Sequence, residues 1–180
     1  MKSKKKNDKI TTLEMEVALM YNINIQQYIV VPNVFWTFFR HEVDLLSVTK
    51  SGYATEYEIK ISKADIKKDK KKWHNHRSQL IKYLYFAVPD YLADFALDHI
   101  PERAGLISVS RTNHEHATDK GFYNTQKHRI KVVKKATINS DVKKWTDTQM
   151  RKLLEIGVMR IRGLKKKILK LNKSSIVEGN

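Results

Sequence analysis

Residues 53–62, YATEYEIKIS, alternate polar and apolar side chains directly after a Lys50-Ser51-Gly52 turn. Because alternate side chains of a β-strand point to opposite faces, the alternation predicts a strand and fixes which residues share a face. The polar face carries Glu56, Glu58, Lys60 and Ser62, and the apolar face carries Tyr57, Ile59 and Ile61. Two explanations of the polar face are open: it is simply solvated, or it is the floor of an active site.

The preceding segment, HEVDLLSV (41–48), predicts a second strand with Asp44 on its polar side. Antiparallel pairing through the tight turn would bring Asp44 near Glu58 and Lys60. Two carboxylates about 4 Å apart repel by roughly 4 kcal/mol at an effective dielectric constant of about 20, so protonation, a cation or solvent must compensate. Hard divalent ions such as Mg²⁺ bind carboxylate oxygens, waters and substrate phosphate, an arrangement that suits phosphodiester hydrolysis. A charged Lys60 would orient a water or stabilise negative charge, or act as a base if its pKa were depressed.

The remaining segments predict an α/β domain with a mixed central β-sheet flanked by helices. Thr11 and Glu14 fit a capping box that opens a first helix. The inner face of this helix is predicted to carry Leu13, Val17, Met20 and Asn24. After QYIVVP and the two strands above come a lysine-rich helix from Lys63 to about Tyr83, the buried strands YLYFAVP and AGLISVS, and a last helix from Asp141 to about Leu171.

The domain is expected to span residues 10–171. Residues 1–9 are expected to form a basic flexible tail, and residues 172–180 a frayed C-terminal tail. Residues 111–128 show no periodicity, which predicts a loop or an irregular hairpin.

The net charge indicates which kind of molecule the protein binds. Thirty-five Lys and Arg residues against 19 Asp and Glu leave +16, which favours nucleic acid, although a merely soluble basic surface is the alternative. The absence of cysteine excludes disulfides, thiolate nucleophiles and cysteine-ligated zinc. No apolar run approaches the length of a membrane span and no apolar signal segment follows the basic start, so a cytoplasmic protein without membrane contact is expected.

Basic residues also follow the Glu58-Ile59-Lys60 strand closely. They are predicted to contact the DNA backbone, with an ordinary solvated helix face as the alternative. The candidates are Lys63, Lys67, Lys68, Lys71, Lys72 and Arg77.

Asp44 followed by Glu58-Ile59-Lys60 resembles the PD-(D/E)xK nuclease superfamily. The ordered strings VDLLSV, EIKISKADIKKDKKKW, YLYFAVP and IPERAGLISV resemble its MmcB-like DNA-repair branch, over about residues 10–136. The resemblance implies a restriction-endonuclease-like core, and Mg²⁺ or Mn²⁺ held by Asp44, Glu58 and the carbonyl of Ile59. Lys60 would position or deprotonate the attacking water. The proline that precedes the aspartate in the PD-(D/E)xK motif is replaced by Val43 in this sequence.

Members of the superfamily often add a glutamate from the first helix to the metal site. Glu14 is explained by the capping box, so Glu16 is the favoured ligand. Gln79 and Tyr83, at i, i+4 spacing on the predicted lysine-rich helix, resemble the Q-x-x-x-Y box of RecB-like nucleases and would hold the metal site or a DNA end. The alternative is a chance pair without a functional role.

These features favour a divalent-metal-dependent deoxyribonuclease acting in repair, recombination or phage-type DNA processing. The alternatives are a non-catalytic nucleic-acid-binding protein on the same fold and a subunit of a larger complex. A homodimer is possible on the resemblance, since many relatives cut duplexes as dimers.

Overall fold

The structure, a computed structural model, describes residues 9–35, 41–69, 78–118 and 121–177, with side chains described outside 113–127 and 173–177. The described residues form one six-stranded sheet flanked by helices, which confirms the predicted α/β class. The elements are α1 (Thr12–Asn22), β1 (Tyr28–Val34), β2 (Val43–Thr49), β3 (Ala54–Ile59), α2 (Lys63–Asp69), β4 (Ile81–Pro89), a 3-10 turn (Asp90–Leu92), α3 (Ala93–Leu97), β5 (Gly105–Thr118), β6 (Gly121–Lys134) and α4 (Asp147–Val177).

The strands lie in the sheet in the order of the chain, from β1 to β6. β1, β2 and β3 form an antiparallel meander, β4 and β5 continue parallel to β3, and β6 returns antiparallel to β5. The sheet is therefore mixed, which is consistent with the restriction-endonuclease-like core implied by the resemblance.

The turn between β2 and β3 depends on a glycine. Gly52 has φ +85°, and a Cβ at this position would lie 2.8 Å from the carbonyl oxygen of Trp145. The Gly52 carbonyl also accepts a hydrogen bond from the Trp145 amide at 2.8 Å. Only glycine adopts this conformation at no steric cost. The close approach of Trp145 and the turn between β2 and β3 therefore both require glycine at position 52.

Helices cover both faces of the sheet. On one side, called the α1 face, Leu45 and Ile59 pack with Met15 and Leu19 of α1. On the other, called the α4 face, a cluster joins the strands to Trp145 and to α4, while α2 and α3 cover β4 and β5. That cluster includes Leu46, Val48, Ala54, Ile81, Trp145, Leu153 and Ile156. Since Ala54, Glu56 and Glu58 occupy every second position of β3, they point to the same face, which is the covered α4 face.

The predicted inner face of α1 is wrong. The capping box of Thr11 and Glu14 is present, but the buried residues are Met15, Ala18 and Leu19. Leu13 is 67% exposed. The helix carries apolar residues around most of its circumference, so the i, i+3, i+4 pattern fits more than one stripe, and contact with the sheet selects one.

The lysine-rich segment also differs from the prediction of a helix reaching Tyr83. Helix α2 is described from Lys63 to Asp69, and β4 has already begun at Ile81. The segment 111–128 was predicted as a loop or irregular hairpin; its described residues, 111–118 and 121–128, belong to the paired strands β5 and β6. Helix α4 runs from Asp147 to Val177, whereas 141–171 was predicted. No helix among the described residues is long and apolar enough to cross a membrane.

Candidate metal centre

Asp44 of β2 is hydrogen-bonded to the Glu58-Ile59-Lys60 segment. Leu45 faces Tyr57 in the β2–β3 register, so Asp44 lies one step further along, beside Glu58. The Ile59 amide donates a hydrogen bond to Asp44 Oδ2 at 2.8 Å. The hairpin thus brings Asp44 and the E-x-K residues together.

Lys60 lies between two buried carboxylates. Its Nζ donates to Glu58 Oε2 at 2.5 Å and lies 3.3 Å from Asp69 Oδ1. Burial lowers the pKa of Lys60, but the charges of Glu58 and Asp69 outweigh this and raise the pKa above its ordinary value. Lys60 is therefore an ammonium at neutral pH, which suits it to stabilise negative charge or orient a water and not to act as a base.

Two residues that were not predicted as ligands extend this cluster. His41 Nε2 lies 2.8 Å from Glu56 Oε1 and 3.9 Å from Glu58 Oε1. One ligand atom from each of these three residues lies within 4.8 Å of the others. The sequence did indicate Glu56, because it lies two residues before Glu58 on the same face of the predicted strand. His41 precedes β2, and no pattern in the sequence indicated it.

The solvated explanation of the polar strand face is wrong. Glu56, Glu58 and Lys60 are 0%, 1% and 8% exposed, and Asp69 is 5% exposed. The apolar neighbours in register on β2 and β4 are Leu46, Leu84 and Phe86. Among the described residues, the Lys60 ammonium and the His41 imidazole lie against these three carboxylates, and a bound cation would stabilise them further.

Glu16 approaches the same region from α1. It is half-buried, and Asn33 Nδ2 donates to its Oε2 at 2.9 Å. Burial, together with the charge of Asp44, raises the pKa of Glu16. Glu14 is engaged elsewhere: a hydrogen bond from the Thr11 amide, together with Arg111, lowers its pKa to about 2. Glu16 is accordingly the α1 carboxylate whose charge acts on Asp44.

The donor atoms present fit a divalent metal ion. Asp44, Glu58, Glu16 and the carbonyl of Ile59 offer only oxygen, which suits Mg²⁺ or Mn²⁺. The neighbouring imidazole of His41 adds a nitrogen donor, which Mn²⁺ and other transition metals also accept. Both sets of donors suit a metal ion by their chemistry, and among the described residues the group with ligand atoms within 4.8 Å of one another is His41, Glu56 and Glu58.

Gln79 and Tyr83 do not share a helix face, so that part of the prediction is wrong. Gln79 lies in the turn before β4, where its carbonyl accepts from the Lys143 amide at 2.6 Å. Tyr83 lies on β4, and the two residues line different cavities. The β-branched and aromatic residues of 81–89 favour a strand, and the sheet extends that strand back to Ile81.

Of the basic residues predicted to contact DNA, Lys63, Lys67 and Lys68 lie exposed on α2. The ammonium groups of Lys63 and Lys67 lie 4.9 Å and 5.7 Å from the ring centroid of Phe95. Helix α2 begins three residues after Lys60 and ends at Asp69, whose carboxylate lies 3.3 Å from Lys60 Nζ. Three further candidates lie outside the described residues: Lys71, Lys72 and Arg77.

Comparison with known proteins identifies a family and a similar fold. The family model of the MmcB-like DNA repair proteins matches residues 6–155. Among solved structures, the SPO1766 protein of unknown function from Silicibacter pomeroyi is similar, with a TM-score of 0.57 and 14% identity over 92% of this chain and 95% of that chain. At this identity the likeness concerns the fold alone. No curated protein sequence matches the chain.

Proposed function

Since this chain belongs to the MmcB-like DNA repair protein family, we propose that it is a divalent-metal-dependent deoxyribonuclease that hydrolyses phosphodiester bonds of DNA. The observation that carries the proposal is the buried pair of Glu58 and Lys60, which are 1% and 8% exposed beside further carboxylates. Removing ions from water costs several kcal/mol each, and a protein that only binds DNA through its surface gains nothing from that cost.

The proposed metal ligands are Asp44, Glu58, Glu16 and the carbonyl of Ile59. Mg²⁺ or Mn²⁺ bound there would activate a water as nucleophile and neutralise charge on the phosphoryl oxygens. His41 and Glu56 adjoin Glu58 and would hold its carboxylate in position.

The role proposed for Lys60 follows from its protonation. As an ammonium it would donate a hydrogen bond to the attacking water or to a phosphoryl oxygen as negative charge develops. Asp69, 3.3 Å from Nζ, would keep the side chain in place. Lys60 would thus be the catalytic cation, and Asp69 a positioning residue.

The proposed substrate, DNA, is supported by charge and by position. The net charge of +16 attracts a polyanion. Lys63, Lys67 and Lys68 would contact phosphates near the cleaved bond, and Lys71, Lys72 and Arg77 extend this proposal along the sequence. A cytoplasmic location and a homodimer remain predictions.

A cleavage assay tests the proposal. Labelled linear, single-stranded and branched DNA would be incubated with Mg²⁺, Mn²⁺, Ca²⁺ or EDTA. The variants are Glu58→Gln and Lys60→Ala, and Glu155→Gln is the control, because Glu155 is a surface carboxylate with a 53% exposed side chain. We expect cleavage with Mg²⁺ or Mn²⁺ only, and a loss of at least about 100-fold in both site variants but not in the control.

Two outcomes would contradict the proposal. Cleavage that persists in EDTA would exclude the metal. Tight DNA binding without cleavage of any substrate, unchanged in Lys60→Ala, would instead favour a non-catalytic nucleic-acid-binding protein.

A further inference from the structure

A cavity of about 500 Å³ lies between the C-terminal end of α1 and the strands β1 to β4. Its lining is dominated by one residue type: Tyr28, Tyr53, Tyr57, Tyr83 and Tyr85. The rings of Tyr57 and Tyr85 stack at 6.0 Å between centroids and 19° between planes, and both pack on the α1 face of the sheet. The volume falls within the range of cavities that bind small organic ligands.

A β-bulge adds a cation to this aromatic lining. Ala54 of β3 faces Ile81 of β4, but Thr55 faces Tyr83, so Lys82 is the extra residue. Bulges redirect side chains and are frequent beside functional sites. Here the bulge lets consecutive residues, Lys82 and Tyr83, line the same cavity.

The cation lies against the rings. Lys82 Nζ is 4.1 Å from the ring centroid of Tyr53 and 5.5 Å from that of Tyr83. Lys144 Nζ lies 5.4 Å from the centroid of the same Tyr53 ring. Tyr53 therefore has two ammonium groups near its ring, at the wall of a cavity whose remaining walls, apart from Ile23, are aromatic or polar.

This cavity is separate from the metal centre. Thr55 and Tyr57 alternate with Glu56 and Glu58 along β3, so the cavity and the buried carboxylates lie on opposite faces of the same strand. A ligand of the cavity would not contact the metal ligands.

We propose that this tyrosine cavity binds a nucleobase together with its phosphate. Aromatic rings stack on any base, and lysines neutralise the phosphate attached to it. Polar side chains also line the cavity: Thr49 and Ser51 hydrogen-bond to each other at 2.9 Å, and Asn24 accepts from the Gln26 amide at 2.9 Å. The polar side chains and the Lys82 ammonium in the lining favour a polar, negatively charged ligand over a purely apolar one. The base can come from a single strand of DNA or from a free nucleotide.

Binding measurements test the proposal without depending on cleavage. They would use full-length protein carrying Glu58→Gln, in EDTA, with three probes: oligothymidylate, thymidine monophosphate and a blunt duplex. In this background, Tyr53→Leu removes the ring, Tyr53→Phe keeps it, and Lys82→Gln removes the charge. Tyr91→Leu is the matched control, since Tyr91 is a 56% exposed tyrosine outside the cavity.

We expect Tyr53→Leu to weaken binding by about 5- to 150-fold, the range for the loss of one aromatic stack. Tyr53→Phe and Tyr91→Leu should bind as the parent does, and Lys82→Gln should weaken binding and flatten its salt dependence. If this pattern holds for the oligonucleotide alone, the source is a DNA strand; if it holds for the monophosphate as well, the cavity also accepts a free nucleotide. Equal binding by Tyr53→Leu and the parent, or equal losses in Tyr53→Phe and Tyr53→Leu, would overturn the proposal.

Crosslinking gives a second test that needs no substitution in the cavity. Single-stranded DNA containing 5-iododeoxyuridine would be irradiated with the parent protein and the adducts mapped by mass spectrometry. Adducts on the cavity tyrosines support the proposal, and adducts confined to other positions contradict it. Failure of the nuclease assay would leave both results unaffected, so the two proposals fail separately.

Discussion

Replacing Lys60 with methionine tests the charge arrangement of the site in a single measurement. The ammonium lies 2.5 Å from Glu58 and 3.3 Å from Asp69. At an effective dielectric constant of about 20, each pair attracts by roughly 5–7 kcal/mol. The desolvation of the ions offsets much of this attraction. Removing one partner from a buried ion pair nevertheless costs about 3–5 kcal/mol, because the remaining carboxylates stay buried.

In a domain of this size, that loss corresponds to a decrease in Tm of about 6–20 °C. Thermal unfolding of Lys60→Met in EDTA at pH 7 measures it. Lys152→Met is the matched control, since Lys152 pairs with Glu155 at 2.9 Å but both side chains are 53% exposed. We expect the control to change stability by less than about 1 kcal/mol. Equal shifts in the two variants would refute the claim that buried carboxylates depend on Lys60.

The pH dependence gives an independent check on the same residue. The native pKa of Lys60 is raised above the ordinary value of 10.5 by Glu58 and Asp69, against the opposing effect of burial. Its contribution to stability is therefore complete below pH 10.5 and is lost as the pH rises through the native pKa. Alkaline titration should reduce the stability of the wild type more than that of Lys60→Met, and parallel titrations would contradict this.

Three further predictions concern the metal, the first helix and the β2–β3 turn. Magnesium at 100 times its Kd should stabilise the wild type by about 2.7 kcal/mol and leave Glu58→Gln unaffected in thermal unfolding; equal shifts would argue against Glu58 as a ligand. Glu14→Gln should lose on the order of 1 kcal/mol at pH 7 by urea unfolding. Because the Thr11 amide and Arg111 lower the pKa of Glu14 from 4.5 to about 2, this difference should be present above pH 4.5 and disappear as the pH falls towards 2. Gly52→Ala should lose at least about 1–3 kcal/mol by the same assay, since φ is +85° and the new Cβ would meet a backbone carbonyl.

The β2–β3 hairpin and its polar face were predictable because local rules determine them. Strand alternation assigns Glu58 and Lys60 to one face, and the glycine turn fixes the register that brings Asp44 beside them. The burial of Glu56 was not predictable in the same way, because it depends on helices and a parallel strand that come later in the chain. His41 contacts the cluster from outside any regular strand, so no periodicity identifies it.

In two other segments the sequence pattern did not determine the secondary structure. The segment from Lys63 to Tyr83 combines a helix start with an aromatic strand, and only pairing with β3 decides that residues from Ile81 are extended. The outer parts of β5 and β6 pair through backbone hydrogen bonds, which impose no apolar alternation on residues 111–128.

The order of the strands has a consequence for how the site is assembled as the chain folds. All the proposed metal ligands, together with Lys60 and Asp69, belong to the first 69 residues, and the meander of β1 to β3 pairs neighbours in sequence. The strand that covers one flank of Glu56 and Glu58 is β4, which contributes Leu84 and Phe86 only after a crossover. We therefore predict that the carboxylates lose their water late in folding, when β4 docks parallel to β3. Metal ions present during refolding should consequently accelerate this step in the wild type and have no effect on the earlier formation of the hairpin.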